Sequence, residues 1–447
     1  VKPQNAAKYE VLDSGAQERP MSRKIPAWLP MTSLLAGLSV LTSPAFAADQ
    51  GAPDTSFLPE GEGKVLVESF CIACHNPNYI LSSGGYTREH WELLVTSMMP
   101  LDGTPQLDTI ADYLATNFPP TTDRTPTLVP GPVEASFENW IVPTRGQMPR
   151  DPVEAPDGSI WWVGQWASGN LVGRLDPETG DMKEYPLPER TLPHSVTPDA
   201  EGNIWVSGNG NATIIKLDPV TEEMTVYPMP DPAARDPHTM VFDENGILWF
   251  TVQFGNMIGT LDPATGDIKL VTAPVPESRP YAIKIAPDGN LWVNCRNSPC
   301  VYEVNHETME ITPYTLPHAD TWSRRLAVTS DGMVWYGDTE HGKIGRVDPE
   351  TGEVTEWDSP SGPDSVIYFM EVIDDKIYYN ESGKRPDTLV RFDPETETFQ
   401  SWAIPSAQGF FGGIARHGRV TSNGDLLLHQ GSSNNIMRVH FSDNPND

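Results

Sequence analysis

Asn245-Gly246-Ile247-Leu248-Trp249-Phe250-Thr251 is the stretch on which the fold turns, because its pattern recurs along most of the 447-residue chain. A tight-turn pair, an apolar residue and an aromatic follow one another in fixed order. The aromatics are Trp161, Trp205, Trp249, Trp292, Trp335 and Tyr378, spaced by 43 or 44 residues, with a weaker seventh copy centred on Leu427. The turn pairs are Asp157-Gly158, Glu201-Gly202, Asn245-Gly246, Asp288-Gly289, Asp331-Gly332 and Asn423-Gly424. Such pairs suit a hairpin that needs positive φ, so each joins two strands. A second turn, as at Leu175-Asp176-Pro177, Leu217-Asp218-Pro219 and Leu261-Asp262-Pro263, leads into a last strand such as Lys183-Glu184-Tyr185-Pro186. Each unit therefore holds four short strands. This period, with one conspicuous aromatic per unit, is the mark of a β-propeller. Seven copies predict seven blades over residues 136–442, with the repeated Trp residues in the core between blades. The last copy, Gly412 to Phe441, lacks a fourth strand, whereas Phe137 to Val142 precedes the first copy and reads as one. The ring is expected to close by this N-terminal strand completing the C-terminal blade.

The chain counts 30 Lys and Arg against 61 Asp and Glu, a formal net charge of −31. Such a polyanion would be repelled by nucleic acid and by an anionic membrane surface, which excludes both as partners. A small-molecule substrate or a redox protein is favoured instead. Upstream, Arg23 and Lys24 precede an apolar run from Met31 to Leu41, and Ala45-Phe46-Ala47 offers small residues for cleavage. Residues 1–47 thus read as an export signal cut after Ala47, giving a periplasmic or secreted protein. Met21 would open an n-region of ordinary length, which leaves residues 1–20 upstream of the start.

Cys71-Ile72-Ala73-Cys74-His75 has the spacing for covalent haem attachment: two thiols reach the vinyl groups and His75 supplies an axial imidazole. A zinc site would need two more ligands nearby, and none is spaced correctly. A c-type unit also needs a helix carrying the motif, a later Met, and a closing helix. Gly63 to Cys71 suits the first helix; Thr87 caps a second, with Trp91, Leu93, Leu94 and Met98 at helical apolar spacing. Thr104-Pro105 opens a third, with Leu107, Ile110, Tyr113 and Leu114 on one face. Met99, in the connecting segment before Pro100, is the expected sixth ligand, with Met98 as its competitor. A His/Met pair blocks the iron from substrate and implies electron transfer. Residues 48–119 resemble small class I cytochromes c, and one haem c is the implied cofactor. Residues 120–135 are Pro- and Thr-rich without apolar periodicity and read as a semi-rigid linker. The fold class is therefore mainly β: a seven-bladed β-propeller behind a small N-terminal all-α cytochrome c domain.

Within the propeller, Leu192-Pro193-His194-Ser195-Val196, Asp236-Pro237-His238-Thr239-Met240 and Gly246-Ile247-Leu248-Trp249-Phe250-Thr251, with Ile344-Gly345-Arg346 read as a turn, resemble the streptogramin B lyase (virginiamycin B lyase) family over roughly residues 140–440. That resemblance implies a seven-bladed propeller that opens cyclic depsipeptides by elimination, using a histidine base, a second histidine on the adjacent blade, and Mg²⁺ held by acidic residues. Position by position it implies His194 and His238 as the histidines and Asp236 as a metal ligand. The second metal-binding Glu falls at Val252, beside Gln253, so one carboxylate is missing. Mg²⁺ or another divalent metal would be the propeller's cofactor, and Mg²⁺ wants hard oxygen ligands.

The repeat also aligns a ring of residues eleven before each aromatic: Arg150, His194, His238, Tyr281, Arg324, Ile367 and Arg416. A second ring, three after each aromatic, reads Gly164, Gly208, Val252, Cys295, Asp338, Glu381 and Gln430. His194, His238, Tyr281 and Arg324 are the catalytic candidates, suited to an anionic or carbonyl-bearing ligand or to a soft metal bound by imidazole. Solvated polar side chains at a channel mouth are the plainer alternative. Cys295 and Cys300 are expected to form a disulfide after export. Three functions fit: a periplasmic oxidoreductase whose haem exchanges electrons with a ligand at the mouth, a streptogramin B lyase-like C–O lyase, or a non-catalytic docking module for the cytochrome. The first is the leading expectation.

Overall fold

A computed structural model describes residues 7–9, 55–71, 80–81, 84–120, 124–165, 169–405, 415–430 and 434–443. Cys74, His75, the expected cleavage site and the side chain of Met98 lie outside these.

Seven antiparallel sheets form the blades. Their innermost strands are Pro149–Glu154, Pro193–Pro198, Pro237–Phe242, Pro280–Ile285, Ser323–Val328, Ile367–Ile373 and Gly418–Val420, for blades 1 to 7. Val133–Ile141 pairs along its full length with Asn435–Asp443 and is the outer strand of blade 7, so the ring closes as expected. A short strand, Ala7–Tyr9, adds to the outer edge of blade 2 opposite Met224–Val226.

The repeated aromatics are 4% exposed or less and pack between neighbouring blades. Trp161, for example, shares a core with Val196, Ile204, Val206 and Ile215 of blade 2. Two of the indole nitrogens donate to a carboxylate of their own blade, Trp205 to Asp199 at 2.8 Å and Trp249 to Asp243 at 2.9 Å. The turn glycines adopt the left-handed φ that the pairs require, as at Gly246 (76°). Ile344-Gly345-Arg346 is not a turn: it lies in the third strand of blade 5, Lys343–Val347. Glycine is needed there because a Cβ on Gly345 would come within 2.2 Å of the Tyr336 ring. Cys295 and Cys300 form the expected disulfide, joining the second and third strands of blade 4.

Ahead of the ring, the helices that lie wholly within the described residues are α1 (Lys64–Phe70), α2 (Arg88–Met98) and α3 (Pro105–Asn117). Thr87 and Thr104 cap α2 and α3 by accepting the amides of His90 and Leu107, both at 3.3 Å. Val67, Trp91, Leu94, Leu107, Ile110 and Leu114 make one apolar core, while Leu93, read as an apolar-face residue, is exposed. Gly63 lets α1 cross α3 closely, since a Cβ there would lie 2.3 Å from Tyr113 Cβ. Among the described residues no helix is long and apolar enough to cross a membrane.

The Pro-rich segment does not hang free. Val129 exchanges hydrogen bonds with Ser401, its amide reaching Oγ at 2.8 Å, and Thr127 N donates to Ser361 Oγ at 2.9 Å on blade 6. The helical unit is docked as well. Arg145, in the loop entering blade 1, pairs with Asp102 and donates to the carbonyls of Thr96 (3.1 Å) and Met99 (3.3 Å). Arg385, in a blade 6 hairpin, lies over the Tyr86 ring at 5.3 Å. Both arginines belong to the end of the ring at which the innermost strands begin.

Candidate functional site

The same end holds the channel mouth. The residue just before each innermost strand is left-handed in blades 1, 2, 3, 4 and 6: Met148 (51°), Leu192 (45°), Asp236 (67°), Arg279 (56°) and Val366 (54°). Such φ values on non-glycine residues are costly and cluster where a site must hold its shape. They turn the following residues toward the axis. The sequence-derived ring is assembled there, with one correction: blade 6 contributes Tyr368, not Ile367, which joins the core of blades 5 and 6.

His194 and His238 lie with ring centroids 3.6 Å apart, and His238 lies 4.0 Å from Tyr281. Tyr281 and Tyr368 share a hydrogen bond of 2.7 Å between hydroxyls. Arg324 donates to Tyr368 Oη at 3.3 Å and stacks 3.8 Å over Trp322, while Arg416 sits 5.8 Å from the Tyr368 ring. Arg150 completes the ring; its Nε and the Nδ1 of His194 are buried without a hydrogen-bond partner among the described residues.

A second layer lies beneath, which sequence reasoning missed although its members directly follow ring residues: Asp151, Thr239, Arg325 and His417. Arg325 donates to Thr239 Oγ1 at 2.8 Å and to the Arg416 carbonyl at 3.1 Å. Thr239 Oγ1 also meets His238 Nδ1 at 3.1 Å, so Arg325 orients that imidazole through one hydroxyl. His417 Nδ1 lies 2.6 Å from Asp151 Oδ2. Deeper still, Lys284 grips both oxygens of Glu371 at 2.6 Å. The channel is thus crossed by buried charged groups below the mouth, and a ligand would meet the upper layer.

Burial holds His194 well below the ordinary imidazole range, reinforced by the charges of His238 and Arg150. His238 is held down in the same way, by burial and then Arg325. Both rings are neutral bases at neutral pH. Burial would raise Tyr368, but Arg324, Arg416 and Arg325 outweigh it and bring the phenol down to about 7. Asp236 is pushed up to about 7 by burial, against the pull of Arg296, Arg150 and Arg279.

Asp236 Oδ1 is buried and unpaired, yet its surroundings do not suit Mg²⁺. The second carboxylate is absent at Val252, Gln253 brings only an amide, and three guanidinium groups already supply positive charge.

Residues 131–302 match the virginiamycin B lyase family model. That span covers blades 1 to 3, with His194, His238 and Asp236. Among solved structures, the virginiamycin B lyase of Staphylococcus aureus is 20% identical, covering 68% of this chain and 99% of that chain, with a TM-score of 0.61. A streptogramin B lyase is 23% identical over 69% of this chain and 98% of that chain, TM-score 0.61. A catalytically inactive variant of the Staphylococcus aureus enzyme with quinupristin is 20% identical over 68% and 99%, TM-score 0.60. At these identities the likeness establishes the seven-bladed fold. No curated protein matches the chain.

Proposed function

We propose that the propeller mouth is an acid–base site that eliminates an oxygen leaving group from a carbonyl-bearing substrate, as a streptogramin B lyase-like C–O lyase. The observation that carries this reading is the contact of two neutral imidazoles, His194 and His238, with Arg150 acting on both and Arg324 and Arg416 gathered at Tyr368 of the same ring. An imidazole takes the proton from the carbon next to the carbonyl, and the guanidinium groups hold the carbonyl oxygen as it gains charge. The electron pair forms a C=C bond, the adjacent C–O bond breaks, and the oxygen leaves as a carboxylate within reach of the same arginines. No step passes through Mg²⁺, because the donor set does not fit it. The family match over residues 131–302 supports the same reading.

Mass spectrometry of a cyclic depsipeptide such as quinupristin incubated with the protein tests it. Elimination opens the ring without a change of mass, whereas hydrolysis adds one water. His194→Ala and His238→Ala should each lower the rate by ~10²–10⁴-fold. An intact ring with the wild-type chain, or wild-type rates in both variants, removes the lyase reading.

A second reading concerns the helical unit and rests on one observation: Cys71 and Met99 pack against the same apolar core. The buried Trp91 Nε1 has no partner among the described residues, which fits a core built around a further polar group. We infer that Cys71, Cys74, His75 and Met99 hold one haem c, and that the chain works outside the cytoplasm. Bound there, the haem would carry an electron. Arg145, by gripping the Met99 carbonyl, would set its position relative to the mouth. Visible absorption of the exported protein tests this, and a colourless product with alkylatable Cys71 and Cys74 overturns it.

A further inference from the structure

The same end of the ring carries a second cluster, away from the channel and confined to blade 5. His318 lies in the loop entering that blade, Asp338 ends its second strand (Val334–Asp338), and His341 sits in the hairpin that follows. One ligand atom from each lies within 4.8 Å of the others, and the two imidazole centroids are 4.4 Å apart.

Each imidazole is held by an anchored carboxylate. His341 Nδ1 is 2.8 Å from Asp338 Oδ2, and His318 Nε2 is 2.9 Å from Glu356 Oε2 on the fourth strand, Val354–Asp358. Asp338 is fully buried and accepts from Thr321 Oγ1 at 2.9 Å and the Glu340 amide at 3.1 Å. Glu356 accepts from the Tyr336 hydroxyl at 2.7 Å. A carboxylate outside the ligand set that orients an imidazole, as Glu356 does His318, is how proteins present nitrogen to a metal. The exposed Asp320 adds negative charge, with Oδ1 3.5 Å from His341 Nε2.

The propeller itself does not need this arrangement. The positions equivalent to Asp338 are Gly164, Gly208, Val252, Cys295, Glu381 and Gln430, and the Glu381 carboxylate is already taken up by Ser359, Ser361 and Ser365. Among the described residues, blade 5 alone sets a buried carboxylate within ligand distance of two imidazoles.

We propose that blade 5 binds one divalent transition ion of the zinc, copper or nickel class through His318, His341 and Asp338. Two imidazoles and one carboxylate favour such ions over Mg²⁺ or Ca²⁺. A tetrahedral ion ~2.0–2.1 Å from each donor keeps the donors about 3.3 Å apart, so His341 Nδ1 and Asp338 Oδ2 part from 2.8 Å while the widest pair of the cluster draws in from as much as 4.8 Å. The ion replaces the proton between His341 and Asp338. Both imidazoles are about one-third exposed, 34% and 31%, which leaves the fourth position open to water.

Calorimetric titration of the untagged full chain with ZnCl₂, followed by dialysis and metal analysis, tests the site. One Zn²⁺ per chain is expected, retained in His238→Ala and Asp236→Asn. His318→Ala and His341→Ala should each weaken binding more than ~100-fold, and Glu356→Gln, a positioning change, by ~10–100-fold. With Cu²⁺, electron paramagnetic resonance of the wild-type chain should show hyperfine coupling to two imidazole nitrogens. Absence of stoichiometric zinc, undiminished binding in the double His318/His341 alanine variant, or no nitrogen coupling each overturns the proposal.

Discussion

The hydroxyls of Tyr281 and Tyr368 meet at 2.7 Å although their blades are separated by blade 5, whose Arg324 reaches the same oxygen. Tyr368 is thereby a phenol held among cations.

Its titration should show this. A tyrosinate signal in the ultraviolet pH-difference spectrum is expected near pH 7 rather than at the ordinary 10, and it should vanish in Tyr368→Phe. Arg324→Met or Arg416→Met should return the transition toward 10, because each removes a cation that favours the anion.

His429, buried in blade 7, is lowered by burial from 6.5 to about 3. Its folded state therefore binds fewer protons than its unfolded state between those values. The associated stability is complete above about pH 6.5 and lost as pH falls toward 3. Urea midpoints across this range should drop less steeply in His429→Gln than in the wild type. Asp236 and Asp387, raised to about 7 and about 8, push the other way and cancel in that comparison.

Gly345→Ala should destabilise the propeller by ~1–3 kcal/mol, since its Cβ would meet the buried Tyr336 ring. A urea midpoint that does not move would show that this strand has room to shift.

Arg145→Ala together with Arg385→Ala should release the helical unit. Amide hydrogen exchange is expected to rise around Tyr86 and at Thr96 to Asp102, while exchange within the blades stays as it was.

Much of this was legible in the repeat. Turn glycines, buried aromatics and the closing strand are local patterns that the ring simply multiplies, and counting eleven residues back from an aromatic found Arg150, His194, His238, Tyr281, Arg324 and Arg416. It failed in blade 6 for a geometric reason. There Ile373 pairs directly with Lys376 across Asp374-Asp375, a shorter hairpin than the one between Val328 and Val334 in blade 5. The count from Tyr378 therefore overshoots by one and lands on Ile367. A count that began from the hairpin would have reached Tyr368. The His318–Asp338–His341 cluster escaped because its members sit in a loop, at a strand end and in a hairpin, and no single period relates them.

Val133–Ile141 and its mate Asn435–Asp443 close the ring, with Glu138 and Arg438 meeting across 300 residues. Until those two strands pair the torus has no seal. Partners so distant in sequence meet slowly, so ring closure is expected to govern how fast the propeller folds.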